Sequence, residues 1–207
     1  MGKPGRVSTF VRSHILFLPA LALLLGSVSY GQQTEVSVSG GVSRLQNSSL
    51  GYDGSSGTAL KLDDGFRLAF RMTLNPYAHF GHEFGYAYSR TGFLTGDGSQ
   101  ASARTAIHQG GYAFLAYATR EGSRIRPFAA GGGHFSNFVY PGYSGLSGGG
   151  QAKIGVNYGG GVKFRIGEMW MLRVDARQYL TGKPFGYPGV SGALRQNELS
   201  IGFGIGL

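Results

Sequence analysis

The sequence predicts an all-β chain, an eight-stranded antiparallel up-and-down transmembrane β-barrel, and three observations carry that prediction. Glycine supplies 38 of the 207 residues, phenylalanine 14 and tyrosine 12. Such a composition opposes helices, because Gly costs about 1 kcal/mol against Ala in a helix interior and aromatic side chains prefer pleated surfaces. Segments with a period of two recur along the chain, bulky apolar residues on one face and small or charged ones on the other. The connections between them alternate long and short, as in outer-membrane barrels with short periplasmic turns and longer external loops.

Eight segments follow in order. Glu35–Arg44 sets Val36, Val38 and Val42 against Ser37, Ser39, Gly41 and Ser43. In "FRLAFRMTL", Phe66, Leu68, Phe70, Met72 and Leu74 oppose Arg67, Ala69, Arg71 and Thr73, and a tight turn is expected at Asn75-Pro76. "AHFGHEFGYAYSR" sends Phe80, Phe84, Tyr86 and Tyr88 one way and Gly81, Glu83, Gly85, Ala87 and Ser89 the other. The fourth segment spans Ile107–Thr119, the fifth is "IRPFAAGGGHF", and a short turn at Arg120–Arg124 separates them. "KIGVNYGGGVKFRI" alternates Ile154, Val156, Tyr158, Val162, Phe164 and Ile166 with Gly155, Asn157, Gly159, Gly161, Lys163 and Arg165. "WMLRVDARQYL" places Arg173, Asp175 and Arg177 between apolar neighbours, and "NELSIGFGIGL" ends the chain on Leu199, Ile201, Phe203, Ile205 and Leu207 against Glu198 and small residues. The long connections run over Gln46–Asp64, Thr91–Arg104, Phe138–Gln151 and Gln178–Leu194.

Residues 1–31 read as a secretory signal peptide: Lys3, Arg6 and Arg12 precede the apolar run Ile15–Leu25, and Ser29-Tyr30-Gly31 offers a cleavage site. The run is too short for the ~20 apolar residues of a spanning helix. The remainder, 32–207, is a single domain, expected in the outer membrane after export through the periplasm. The formal charge is +9, with three of the nineteen basic residues in the leader, and there is no cysteine. An exported chain without cysteine has no disulfide framework.

The two-faced pattern fits either a soluble sandwich with an aromatic core or a membrane barrel turned inside out. Gly155, Gly159, Gly161, Gly202, Gly204 and Gly206 suit a cramped lumen better than a solvated face. The charged residues of that face carry both signs: Arg67, Arg71, Lys163, Arg165, Arg173 and Arg177 against Glu83, Asp175 and Glu198. They are expected to form a network that fills the lumen, with Glu83 opposite Ala69 and flanked diagonally by Arg67 and Arg71.

The stretches "RPFAAGGG" (Arg126–Gly133), "VNYGGGVKFRI" (Val156–Ile166), "LRVDARQYLT" (Leu172–Thr181) and the alternating last segment resemble the small outer-membrane β-barrel family typified by the OmpA transmembrane domain and OmpX. The resemblance implies a non-enzymatic envelope protein with a structural or surface-interaction role, or a passive small-solute pore. Its implied partners are outer-membrane lipid and lipopolysaccharide, the barrel-assembly machinery and extracellular partners of the loops, with no nucleic acid. Leu207 departs from the family's usual terminal aromatic residue.

One enzymatic alternative rests on "GHFSN". It resembles the His-x-Ser-Asn motif of PagL-type lipid A deacylases, whose His and Ser sit on the outer wall, and would assign base and nucleophile to His134 and Ser136. Residues i and i+2 of a strand share a face, so the two could meet. No Asp or Glu lies between Glu121 and Glu168 to orient the histidine. His79, His82, His108 and His134 lack the spacing of a zinc site, and no cofactor or metal is expected.

Overall fold

The computed structural model describes residues 33–96, 101–146 and 149–207; the expected leader lies outside the described residues. Among the described residues nine strands follow in chain order: β1 (Gln33–Gln46), β2 (Ser49–Tyr52), β3 (Ala59–Tyr77), β4 (Phe80–Thr95), β5 (Ala101–Tyr117), β6 (Ile125–Val139), β7 (Gly150–Arg165), β8 (Trp170–Gly182) and β9 (Ala193–Gly206). From β3 to β9 each strand is antiparallel to the next, and β1 pairs with β9 on one side and β3 on the other. The sheet is thereby closed into an eight-stranded barrel, and β2 is a short addition paired to the outer end of β3. Closure matters because hydrocarbon offers no partner to an unpaired backbone group.

Tight connections at 78–79, 118–124 and 166–169 share one end with the first and last described residues, where Leu207 N donates to the Thr34 carbonyl at 2.7 Å. This is the periplasmic end by the rule of short turns. At the other end the strands run further than the sequence pattern suggested. The segment expected as loop 91–104 is mostly strand, leaving 96–100 as the connection between β4 and β5.

The expected turn at Asn75-Pro76 is displaced. Tyr77 pairs with Phe80, so Ala78 and His79 make the turn, and Pro76 sits in a bulge between Leu74 and Tyr77. A bulge absorbs a residue with no N–H to give to the ladder. The register moves accordingly: Glu83 faces Thr73, and Ala69 faces Ala87. Arg71 stays on a diagonal of Glu83, but Arg67 does not.

Burial follows the alternation and runs opposite to that of a soluble protein. Arg173 is 1 % and Asp175 0 % exposed, whereas Ile154 is 85 % and Leu199 58 % exposed. Charged side chains are fully buried only when paired, and apolar ones form an outer surface only when lipid covers it. Glycine makes room for this interior. A Cβ on Gly155 would stand 2.6 Å from Cε1 of His134 and 2.1 Å from the Leu180 carbonyl oxygen, and one on Gly161 would meet the Phe128 ring at 2.8 Å.

Candidate functional site

The lumen is the candidate site, and its middle is built from β3, β4, β8 and β9. Inward residues of β8 come every second position, so Arg173, Asp175 and Arg177 form a column. Arg173 grips Asp175 with two hydrogen bonds, Nε at 2.7 Å and Nη2 at 2.9 Å, while Arg177 Nη2 lies 3.1 Å from Asp175 Oδ1. From β4, Glu83 reaches Arg173 Nη1 at 2.6 Å and Arg177 Nη2 at 2.8 Å. With eight strands in the wall, β4 and β8 stand diametrically opposed, so these ion pairs span the whole bore.

Glu198 of β9 gathers the second cluster. It accepts from Arg67 Nε at 2.9 Å and Tyr179 OH at 2.9 Å, and pairs with Arg71 Nη2. Ser200 also donates to it. Arg71 lies within 3.7 Å of Glu83 and 3.9 Å of Asp175, joining the two clusters. Arg67 continues to Ser89 Oγ at 3.2 Å and to Gln109. Isolated, each of these charges would cost several kcal/mol to bury; here every carboxylate has at least two cationic partners.

A third cluster closes the periplasmic end. Lys163 pairs with Glu35 and donates to Tyr117 OH at 2.8 Å. Arg126 lies 3.7 Å from Glu35 and 3.0 Å from Glu121 in the β5–β6 turn, and its guanidinium stacks 3.5 Å over the Tyr117 ring. Burial raises the pKa of the Glu121 carboxyl, and Arg126 opposes that shift.

The outer end of the lumen is apolar. Leu45, Leu50, Leu60, Leu62, Phe93, Ile107, Phe138 and Leu194 form one buried cluster, with Ala103, Phe185 and Tyr187 packed against it. Leu60 and Leu62 reach it through a bulge between Leu62 and Gly65 that reverses the inward phase of β3. Beside the charged cluster the lumen holds a cavity of about 30 Å³ lined by Arg67, Arg71, Glu83, Gln109, His134 and Arg177 among others.

Of the nine charged residues expected in the lumen, Arg67, Arg71, Glu83, Lys163, Arg173, Asp175, Arg177 and Glu198 are buried there. Arg165 is not among them. It stands at the periplasmic rim, its Nη2 3.4 Å from Gln33 Oε1, because β7 ends with it. Glu35 and Arg126 belong to the network and were missed. Glu35 continues the inward phase of Ser37 and Ser39, and Arg126 that of His134, so periodicity could have found both.

His134 and Ser136 are 6 % and 0 % exposed and point into the lumen, with Phe135 between them on the lipid side. The outer-wall arrangement expected of a deacylase is thus not formed. His134 Nε2 shares a hydrogen bond with Thr181 Oγ1 at 2.7 Å, and Ser136 Oγ accepts from Gln109 Nε2 at 2.8 Å. His82 and His108 lie on the outer wall, hydrogen-bonded to the hydroxyls of Tyr112 at 2.7 Å and Tyr86 at 2.6 Å.

Residues 18–205 match the family model described as outer membrane protein beta-barrel domain. The fold is similar to that of Neisserial surface protein A, with a TM-score of 0.55 and 16 % identity over 84 % of this chain and 96 % of that one. It is also similar to that of the outer membrane protein OprG from Pseudomonas aeruginosa, at 0.58 and 14 % over 86 % and 96 %. The outer membrane enzyme PagL is further away, at 0.47 and 15 % over 83 % and 98 %. No curated protein has a matching sequence. Identities this low speak for the fold alone.

Proposed function

Because the chain belongs to the outer membrane protein beta-barrel domain family, we propose that it serves the bacterial envelope as a non-enzymatic, non-conducting barrel with a structural or surface-interaction role. The observation that carries this reading is the set of ion pairs from Glu83 to Arg173 and Arg177, which join opposite walls of the bore. A narrow lumen crossed at its middle by paired side chains, and filled above by leucines and phenylalanines, supports the non-conducting reading. The passive pore finds no support in that arrangement.

Catalysis is disfavoured by geometry too. Ser136 Oγ is engaged by the Gln109 amide, no base among the described residues is hydrogen-bonded to it, and lipid acyl chains on the outer wall are separated from it by the sheet. What the barrel does present outward is an aromatic crown at the loop end. Tyr140 stands 6.4 Å from Tyr143 and 5.6 Å from Phe185, ring centre to ring centre, and Tyr52, Tyr140 and Tyr143 are exposed. Such rigid amphipathic rings suit contacts with proteins or sugars outside the cell. During biogenesis the partner would be the barrel-assembly machinery, with β9 as the last strand to be delivered.

Planar-bilayer recordings and mass spectrometry of lipid A from cells with and without the protein test the reading. It expects no unitary conductance and an unchanged acyl pattern. Discrete channels, or the loss of an acyl chain abolished by Ser136→Ala, would overturn it.

A further inference from the structure

The outer wall over β7, β8, β9 and β1 carries a continuous polar row near its outer end. Tyr158 faces Gln178, Gln178 faces Asn197, and Asn197 faces Arg44, so four directly paired positions on four adjacent strands carry polar groups. The next row toward the loops adds Arg195 and Gln46, paired to each other. Toward the periplasm the rows turn wholly apolar: Gly160, Ala176, Leu199, Val42, then Val162, Val174, Ile201, Gly40, then Phe164, Leu172, Phe203, Val38. An amide facing hydrocarbon is costly without partners, so a polar row at this level calls for a ligand or a wet boundary.

The row is also biased in its hydrogen bonding. Tyr158 OH donates to Gln178 Oε1, and Gln178 Nε2 donates to Asn197 Oδ1 at 2.7 Å. Both amide oxygens are thereby used, and Asn197 Nδ2 has no acceptor among the described residues. Arg44 and Arg195 stand on diagonal positions of the β9–β1 ladder, close enough for both guanidinium groups to reach one anion. Arg195 has no carboxylate partner among the described residues, and Arg44 has only Asp64 at 4.0 Å, both side chains exposed. The patch therefore offers donors and positive charge, with few free acceptors.

We propose that this patch binds the phosphorylated sugar headgroup of an outer-leaflet glycolipid. Arg44 and Arg195 would clamp a phosphate, the geometry for which guanidinium groups are suited. The Asn197 and Gln178 amides would meet sugar hydroxyls. Acyl chains would then run down the apolar rows beneath, past Gly160, Ala176 and Leu199. Arg44 is two residues from the outer end of β1 and Arg195 two from the outer end of β9, which puts the phosphate at the outer-leaflet boundary. A phospholipid shares the phosphate but has no sugar to use the amides.

The site rests on the outer-membrane location and not on the absence of conductance or catalysis, so it stands or falls separately from the proposed function. The test uses the protein refolded in neutral detergent micelles, its folded state checked by heat-modifiable gel mobility. Binding of bisphosphorylated lipid A, its dephosphorylated form and phosphatidylglycerol is compared by native mass spectrometry. The expected result is at least tenfold weaker binding of lipid A on loss of the phosphates, and likewise in Arg44→Ala/Arg195→Ala. Asn197→Leu should weaken it several-fold, while Arg165→Ala, which removes one positive charge at the periplasmic rim, should leave it unchanged. Equal binding by wild type and the double variant, or phosphatidylglycerol binding as tightly as lipid A, would overturn the proposal. Should the double variant fail to refold, the single change Arg195→Gln at an exposed position reads the same clamp.

Discussion

The lumen is closed twice, and the two closures are made of opposite materials. In the middle, four arginines and three carboxylates from β3, β4, β8 and β9 interlock by directed hydrogen bonds. At the outer end, leucines, an isoleucine and two phenylalanines pack as one buried apolar cluster. The first closure depends on register. A slip of one residue would carry every charge to the lipid face, so the ion pairs hold the strands in one alignment as well as filling the bore. The second depends only on volume, and tolerates exchange among apolar residues of similar size.

That contrast can be broken from either side. The largest loss is expected for Arg173→Ala, which leaves Glu83 and Asp175 buried with a diminished set of partners; unfolding in urea from lipid vesicles should show about 3–5 kcal/mol less stability. Leu62→Ala in the apolar cap should cost about 2–4 kcal/mol by the same measurement. Gly155→Ala should cost about 1–3 kcal/mol through overpacking against His134 and the Leu180 carbonyl, and circular dichroism should show the barrel intact.

The smallest effect belongs to the periplasmic turn. The Glu121 carboxyl has its pKa raised by burial in the folded protein. A carboxyl raised on folding contributes stability that is fully present below its unfolded pKa and lost as pH rises through the folded one. The wild type should therefore lose slightly more stability than Glu121→Gln as pH rises through the carboxylate range.

How much of this was legible in the sequence also divides along the two closures. Strand identity and facing were readable wherever the period of two ran unbroken, as from Leu172 to Tyr179 and from Asn197 to Leu207. Eight of the nine charges assigned to the lumen follow from that period alone. It failed at irregularities, which a period cannot encode. Pro76 looked like a turn residue but is held in a bulge, shifting the β3–β4 register so that Glu83 faces Thr73. The bulge after Leu62 reverses the phase of β3, and hid the apolar cap inside what read as a loop. Which carboxylate meets which arginine across the bore depends on closure and shear, and neither is written in one strand's pattern.

The central claim is that opposite walls of the barrel are tied through Glu83 and Arg173. It is tested most directly by a double-mutant cycle with Glu83→Gln and Arg173→Gln, each alone and together, unfolded reversibly from lipid vesicles. The structure predicts a coupling energy of about 1–3 kcal/mol, the range of directly interacting buried groups. Strictly additive losses would contradict it.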